Sequence, residues 1–366
     1  MTAEPDVVVY GASGYTGKLI AEFLAARGIR FIAAGRDAVR LHQEMASVPG
    51  LASDHYAVRA VTHDGAALHA LFEGKRVVIN VVGPFGQLGD PVVQAALAAG
   101  CDYIDTTGEQ DWVLHVRAQY GAAFAAKRRL LCPATAYMWT AGQLAVETLL
   151  EQDGLDSFDV VYAPNGAPTI ASTLSFLRMC TLPQYALLNR ELVTWPEASV
   201  INVTVPHTHE IVRGLPWGGG CEPIWYEHDA RVRNMRVCVA FPPSPLVDWI
   251  VGRMQEFQKL APELSRADAE ELTNRWGREV AYTPPREAED VNRCVTSVRA
   301  RGRLAGRSLV FHATAPYLQT GVLCAAAADM LLGGRHGAVG FASPAQAFGH
   351  RRLIAALHQA GLHCAE

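Results

Sequence analysis

Residues 7–17 read Val7-Val8-Val9-Tyr10-Gly11-Ala12-Ser13-Gly14-Tyr15-Thr16-Gly17, and the fold follows from how this stretch changes character. Its first four residues form an apolar run short enough for a buried strand, and beyond Gly17 the residues Leu19, Ile20, Phe23 and Leu24 recur at helical spacing. Strand, glycine-rich turn and helix in that order gather backbone N–H groups and the positive end of a helix dipole at one point, which suits a pyrophosphate. Gly11 takes the tight turn, Gly14 lets phosphates approach the backbone, and Gly17 lets the helix pack on the strand. Ser13, Tyr15 and Thr16 share the turn and are expected to touch the same ligand. The spacing is G-x-x-G-x-x-G and not G-x-G-x-x-G, so a tight structural turn is the competing reading; the flanking strand and helix favour the dinucleotide.

Working outward, Arg30 to Ala34 reads as a second strand ending at Gly35-Arg36-Asp37. The end of this strand meets the adenosine ribose, where a carboxylate accepts from a 2′-hydroxyl and an arginine pairs with a 2′-phosphate. Arg36 holds the expected position and Asp37 follows it, so NADP is favoured and NAD stays open. Val77 to Val82 is a third buried strand, preceded by a helix over Ala66 to Phe72. It ends in Gly83-Pro84-Phe85-Gly86, so Val82, Gly83, Pro84 and Phe85 are expected to line the cofactor crevice. Asp90-Pro91 caps a helix through Ala99, Tyr103 to Asp105 is strand, Trp112 to Ala126 helix and Leu130 to Cys132 strand. This alternation specifies an α/β fold, a doubly wound parallel sheet of the Rossmann type.

With 366 residues the chain exceeds what one core usually supports, and two domains are expected. Its net charge of −4 offers no basic surface for nucleic acid or anionic lipid. Lysine occurs only at positions 18, 75, 127 and 259, which leaves few candidates for a catalytic amine. The eight cysteines are scattered without C-x-x-C or metal spacing and read as reduced thiols. The first strand begins too early for a signal peptide and no run of 18 apolar residues occurs, so a cytoplasmic protein that does not engage a membrane is expected.

The expected division is 1–150 for the nucleotide domain, 151–314 for an inserted α+β domain that binds substrate and mediates dimerisation, and 315–366 for a segment returning to the first. In the insert, Phe158 to Tyr162 and Met235 to Val239 read as strands, and residues 200–205 alternate as a half-buried strand does. A helix capped by Ser172 or Thr173 begins near Ala171, another starts at Ser244-Pro245, and Ser265 with Asp268 marks a third. Trp217-Gly218-Gly219-Gly220 reads as a flexible loop, and residues 294–314 as a hairpin. His207 and His209 would share a strand face but lack a third ligand, so no metal is expected. No tyrosine is followed four positions on by lysine, so the Tyr-Lys pair of short-chain dehydrogenases is missing.

Gly11 to Gly17, Ala34-Gly35-Arg36, Asn80 to Phe85 and Cys101-Asp102-Tyr103-Ile104-Asp105-Thr106-Thr107-Gly108-Glu109 together resemble the cofactor domain of saccharopine dehydrogenase-like oxidoreductases, including the trans-acting enoyl reductases. Pro316 to Gly321 and Gly340 to Ala345 are similar to that family's ending, whereas Pro133 to Trp139 departs from its usual turn. The resemblance implies an NADP-dependent oxidoreductase that moves a hydride between nicotinamide and an electron-poor double bond, enoyl C=C or imine C=N, of a small apolar substrate, as a homodimer. Gly108 joins the expected cofactor contacts. Tyr137 and Glu109, each following a strand at the sheet's carboxyl edge, and Tyr317, on resemblance alone, are the candidate catalytic residues. A non-catalytic NADP-binding sensor, or an accessory protein acting beside another enzyme, is the alternative.

Overall fold

The apolar run Val7–Tyr10 is strand β1, buried at all four positions, as a central parallel strand covered on both faces must be. It leads into α1 (Tyr15–Ala26), β2 (Phe31–Gly35), α2 (Ala38–Ala46), β3 (Tyr56–Ala60), α3 (Gly65–Phe72), β4 (Val77–Asn80), α4 (Phe85–Leu88), α5 (Asp90–Ala99), β5 (Asp102–Asp105), α6 (Gln110–Ala126), β6 (Leu130–Cys132) and α7 (Tyr137–Leu149). The computed structural model describes residues 4–196, 200–206, 211–280 and 283–365; His207 and His209 lie outside them. The chain divides into two units. The first takes in the chain up to Thr107 with His115–Thr140 and Tyr317–Gly361, and the second holds Gly108–Leu114, Ala141–Pro316 and the residues from Leu362 on.

Strand β4 stops at Asn80, two residues short of the apolar run's end, because the Asn80 side chain accepts from Val82 N–H at 3.0 Å and turns the backbone out of the sheet. Asp90 is the first residue of α5, and its carboxylate does not cap that helix. It instead accepts from the Tyr120 hydroxyl at 2.5 Å and lies 2.9 Å from His115 Nε2.

The second unit continues with β7 (Ser157–Pro164), α8 (Ile170–Met179), β8 (Tyr185–Leu188), β9 (Glu191–Thr194), β10 (Ile201–Thr204), β11 (Ile211–Leu215), α9 (Glu222–Tyr226), β12 (Asn234–Ala240), α10 (Pro245–Leu260), α11 (Arg266–Glu279), β13 (Arg293–Arg301) and β14 (Gly306–Thr314). Helix α8 begins one residue earlier than expected because Thr169, and neither Ser172 nor Thr173, is its cap: the Thr169 hydroxyl accepts from Ser172 N–H at 3.1 Å. Ser244 and Ser265 cap α10 and α11.

The expected flexible loop at Trp217 is a packed turn. Trp217 is buried and stacks on Phe176 with ring centroids 3.7 Å apart. Gly218, Gly219 and Gly220 all take positive φ, and a Cβ on Gly219 would sit 2.6 Å from the Gln110 side chain. That side chain donates to Gly220 C=O at 2.7 Å and accepts from Tyr185 N–H at 2.7 Å. Glycine serves here for close approach, not for motion.

The chain ends with α12 (Pro316–Leu332), β15 (Gly340–Phe341), α13 (Pro344–Phe348), α14 (His350–Gln359) and β16 (His363–Ala365). Among the described residues the first unit's sheet runs β15-β6-β5-β4-β1-β2-β3, parallel throughout. That is the doubly wound order, reversing between β1 and β4. The second unit's mixed sheet runs β10-β11-β12-β7-β13-β14-β16, with β8 and β9 branching from β12. Its inner strands β12 and β7 are parallel and β7 and β13 antiparallel.

Candidate functional site: the glycine turn and its arginine cleft

In the first unit the turn after β1 is fixed by its own backbone. Gly11 has φ +95° and its N–H donates to Ala34 C=O at 2.8 Å, while Gly14 N–H donates back to Gly11 C=O at 3.0 Å. A Cβ on Gly17 would lie 2.4 Å from Gly11 O, so only glycine lets α1 start this close to β1. Gly14 is the N-cap of α1 and offers no side-chain oxygen, so no capping side chain occupies the head of this helix. An anion is the complement of such an end. Val81 and Val82 close over the turn, their methyls 2.9 and 2.8 Å from where a Gly11 Cβ would stand. Gly83, Pro84 and Phe85 follow, with Pro84 leading into α4.

Beside this turn a cleft of about 390 Å³ is lined by Ser13, Arg36, Asp37 and Arg40. Asp37 is the N-cap of α2, its carboxylate accepting from Arg40 N–H at 3.0 Å. Two guanidinium groups against this one carboxylate leave the cleft net positive, an arrangement that fits a 2′-phosphate. Arg36→Ala is expected to weaken NADPH binding by about 1.5–3 kcal/mol, the range for hydrogen bonds to a charged group, and to leave NADH nearly unchanged. Calorimetry with both nucleotides checks this, and equal losses would mean that Arg36 only supports the loop.

The candidate catalytic residues stand in different settings. Tyr137, in the first unit, is buried at the start of α7, and its N–H donates to the Thr320 hydroxyl of α12 at 3.0 Å. Tyr317 of the returning segment packs edge-on against Tyr15, ring centroids 5.1 Å apart, so it stands at the glycine turn. Gly108 and Glu109 belong to the second unit. There the Glu109 carboxylate, fully buried, accepts from Arg178 at 2.7 Å and from the Ser175 hydroxyl at 2.7 Å. Asp111 takes the other arm of the same guanidinium at 2.6 Å. Burial pulls the Arg178 guanidinium down, but Asp111 and Glu109 outweigh it and hold it fully charged. A buried pair of this kind is costly to break from one side.

Two features escaped the sequence reading. Arg40 reads as one more charge on a helix, and only the structure shows its N–H on the Asp37 cap and the residue lining the cleft. Glu222, at the start of α9, is fully buried in the second unit; one oxygen accepts from the Tyr162 hydroxyl at 2.7 Å, which itself accepts from Gly142 N–H at 2.7 Å. Its other oxygen is buried without a hydrogen-bond partner among the described residues. Burial pushes this carboxyl up to about 8 from an ordinary 4.5, against the opposing bond from Tyr162. The folded state therefore holds a proton that the unfolded chain has released, and stability falls as pH rises from 4.5 to about 8, then levels. The whole effect is at most about 5 kcal/mol. Glu222→Gln, which keeps the acceptor for Tyr162, should flatten this slope and raise the melting temperature at pH 8; an unchanged pH profile would show that the carboxyl titrates normally.

Among the described residues no three His, Cys, Asp or Glu side chains gather as metal ligands, and no helix is long and apolar enough to cross a membrane. Two curated relatives match about a third of the chain. A trans-acting enoyl reductase of Mycobacterium tuberculosis is 40% identical over 108 residues, covering 29% of this chain and 26% of the relative. A lipid droplet localized protein of Caenorhabditis elegans is 33% identical over 123 residues, covering 31% and 29%. The matches thus span under a third of the relatives' own length. Apo saccharopine dehydrogenase (L-Glu forming) of Saccharomyces cerevisiae shares the fold over 99% of each chain, with a TM-score of 0.60 at 12% identity. Residues 7–126 match the saccharopine dehydrogenase NADP binding domain, the segment that holds the glycine turn and both arginines. Residues 140–365 match a family of unknown function, DUF5938, and the chain belongs to that family, with a saccharopine dehydrogenase-like NADP-binding domain ahead of the matched segment.

Proposed function

We propose that the chain is an NADP-dependent reductase that moves a hydride between nicotinamide and an electron-poor double bond, enoyl C=C or imine C=N, of a small apolar substrate. The observation that carries the cofactor half of this reading is the cleft at the glycine turn, where Arg36 and Arg40 face Ser13 and Asp37 is engaged as a helix cap. The substrate half draws on the relative named as an enoyl reductase and on the sequence resemblance.

Bound nicotinamide supplies the hydride; the protein binds, orients and completes the reaction with a proton. The α1 N-terminus would take the pyrophosphate with Ser13, Tyr15 and Thr16, and Val82 to Phe85 would complete the first unit's cofactor contacts. Tyr137 gives the proton from its phenol to the atom next to the one that receives hydride. Tyr317 backs the glycine turn through Tyr15, and Glu109, engaged by Arg178 and Ser175, serves to fix its loop and not as an acid. A homodimer in the cytoplasm completes the proposal. The test follows NADPH absorbance against a panel of enones, enoyl thioesters and cyclic imines. Consumption with one class supports the reductase; tight NADPH binding with no consumption on any compound would favour a sensor.

A further inference from the structure

We propose that Asp105 is a positioning residue for the nicotinamide half of the site, an inference that rests on the NADP reading above. Asp105 ends β5 and is fully buried in the first unit. One carboxylate oxygen accepts from Thr107 N–H at 3.1 Å and from Ala134 N–H at 2.9 Å, and the other accepts from the Tyr103 hydroxyl at 3.1 Å. Its main-chain carbonyl accepts from Thr135 N–H at 2.8 Å. The Tyr103 hydroxyl in turn accepts from Asn80 Nδ2 at 3.0 Å, and Asn80 holds Val82 N–H. One side chain thus ties together the chain leaving β4, β5 and β6.

These three segments form the carboxyl edge of the half-sheet that receives the second mononucleotide in a doubly wound fold. The segment after β4 carries Val82 to Phe85, that after β5 leads to Gly108, and that after β6 leads to Tyr137. Ala134 has φ +59°, a conformation that a residue with a Cβ adopts only when its surroundings impose it. Asp105 holds its N–H and the Thr140 hydroxyl donates to its C=O at 3.0 Å. Burial, and then the charge of Asp105, push the Tyr103 phenol well above its ordinary range, so it remains a donor to the carboxylate. A carboxylate is an expensive group to bury, and an apolar side chain would fill a core as well. What it adds is a single fixed arrangement of three loops, which a fully bonded polar network specifies.

The two halves of the cofactor provide a readout that a merely structural residue would not separate. Affinities for NADPH and for 2′,5′-ADP, which carries only the adenosine half, are measured by calorimetry on the wild type, Asp105→Ala and Asp105→Asn. Asp105→Ala is expected to bind 2′,5′-ADP within about 2-fold of wild type and to lose about 10-fold or more for NADPH, one hydrogen-bonded network's worth of orientation. Asp105→Asn, which keeps an acceptor for Thr107 and Ala134, should recover part of that loss. Should Asp105→Ala fail to fold, Asp105→Asn alone decides, again by a loss confined to NADPH. Equal losses for both ligands, or none for either, would overturn the proposal. A wild type that binds NADPH but not 2′,5′-ADP would overturn the underlying placement of the adenosine half, a result distinct from the failure of Asp105.

Discussion

Gly14→Val is expected to abolish NADPH binding and leave the domain folded. Gly14 has φ −79° and ψ 168°, a backbone conformation open to any residue, and an added Cβ would meet only Gly11 O, at 3.2 Å. Gly11 O need give only a few tenths of an ångström for the fold to hold the added Cβ. What it cannot keep is the bare backbone that phosphates approach at the head of α1, and affinity should fall at least about 100-fold. Gly17 makes the contrast: its Cβ would stand 2.4 Å from Gly11 O, so substitution there breaks the strand–helix packing itself. Calorimetry with NADPH, beside a thermal melt, separates the two cases. Retained heat of binding in folded Gly14→Val would remove the phosphate site from this turn.

Tyr137→Phe is expected to keep NADPH affinity and lower the hydride-transfer rate by about 10²–10⁴, the usual contribution of a positioned acid. The backbone of Tyr137 is anchored by Thr320 and phenylalanine keeps the buried ring, so the substitution should spare the local fold. A tyrosine that serves only packing would change stability or raise KM with little effect on the chemical step. Single-turnover runs are needed, because slow release of nucleotide can hide a defect in chemistry. An unchanged single-turnover rate would take Tyr137 out of the mechanism and turn attention to Tyr317.

The parts of this molecule that were legible in the sequence are those set by neighbours along the chain. The β1 turn, α1 and the parallel sheet follow from short apolar runs, glycine positions and helical spacing, and Arg36 from its distance beyond Gly17. Contacts between distant residues were not legible. Arg178 meets Glu109 across 69 residues and Tyr162 meets Glu222 across 60, and no local pattern marks either pair. Three glycines after Trp217 read as flexibility because composition says nothing of Phe176 and Gln110 packing against them. Ser172 and Thr173 read as the caps near Ala171, whereas the extended backbone at Thr169 gives the position to that residue. Asp105 lies in a stretch that resembles the family, yet nothing local marks its bonds to Ala134 and, through Tyr103, to Asn80, which the sheet brings together.

In the proposed reaction, hydride passes from NADPH to a bound electron-poor double bond. The most direct measurement uses NADPH carrying deuterium on both C4 positions of the nicotinamide, one turnover, and mass spectrometry of a reduced enoyl thioester or cyclic imine. One deuterium per product molecule is expected, on the carbon that was electron-poor, with the neighbouring atom taking its proton from solvent. Stoichiometric NADPH binding with no deuterium transferred to any member of either class would contradict it.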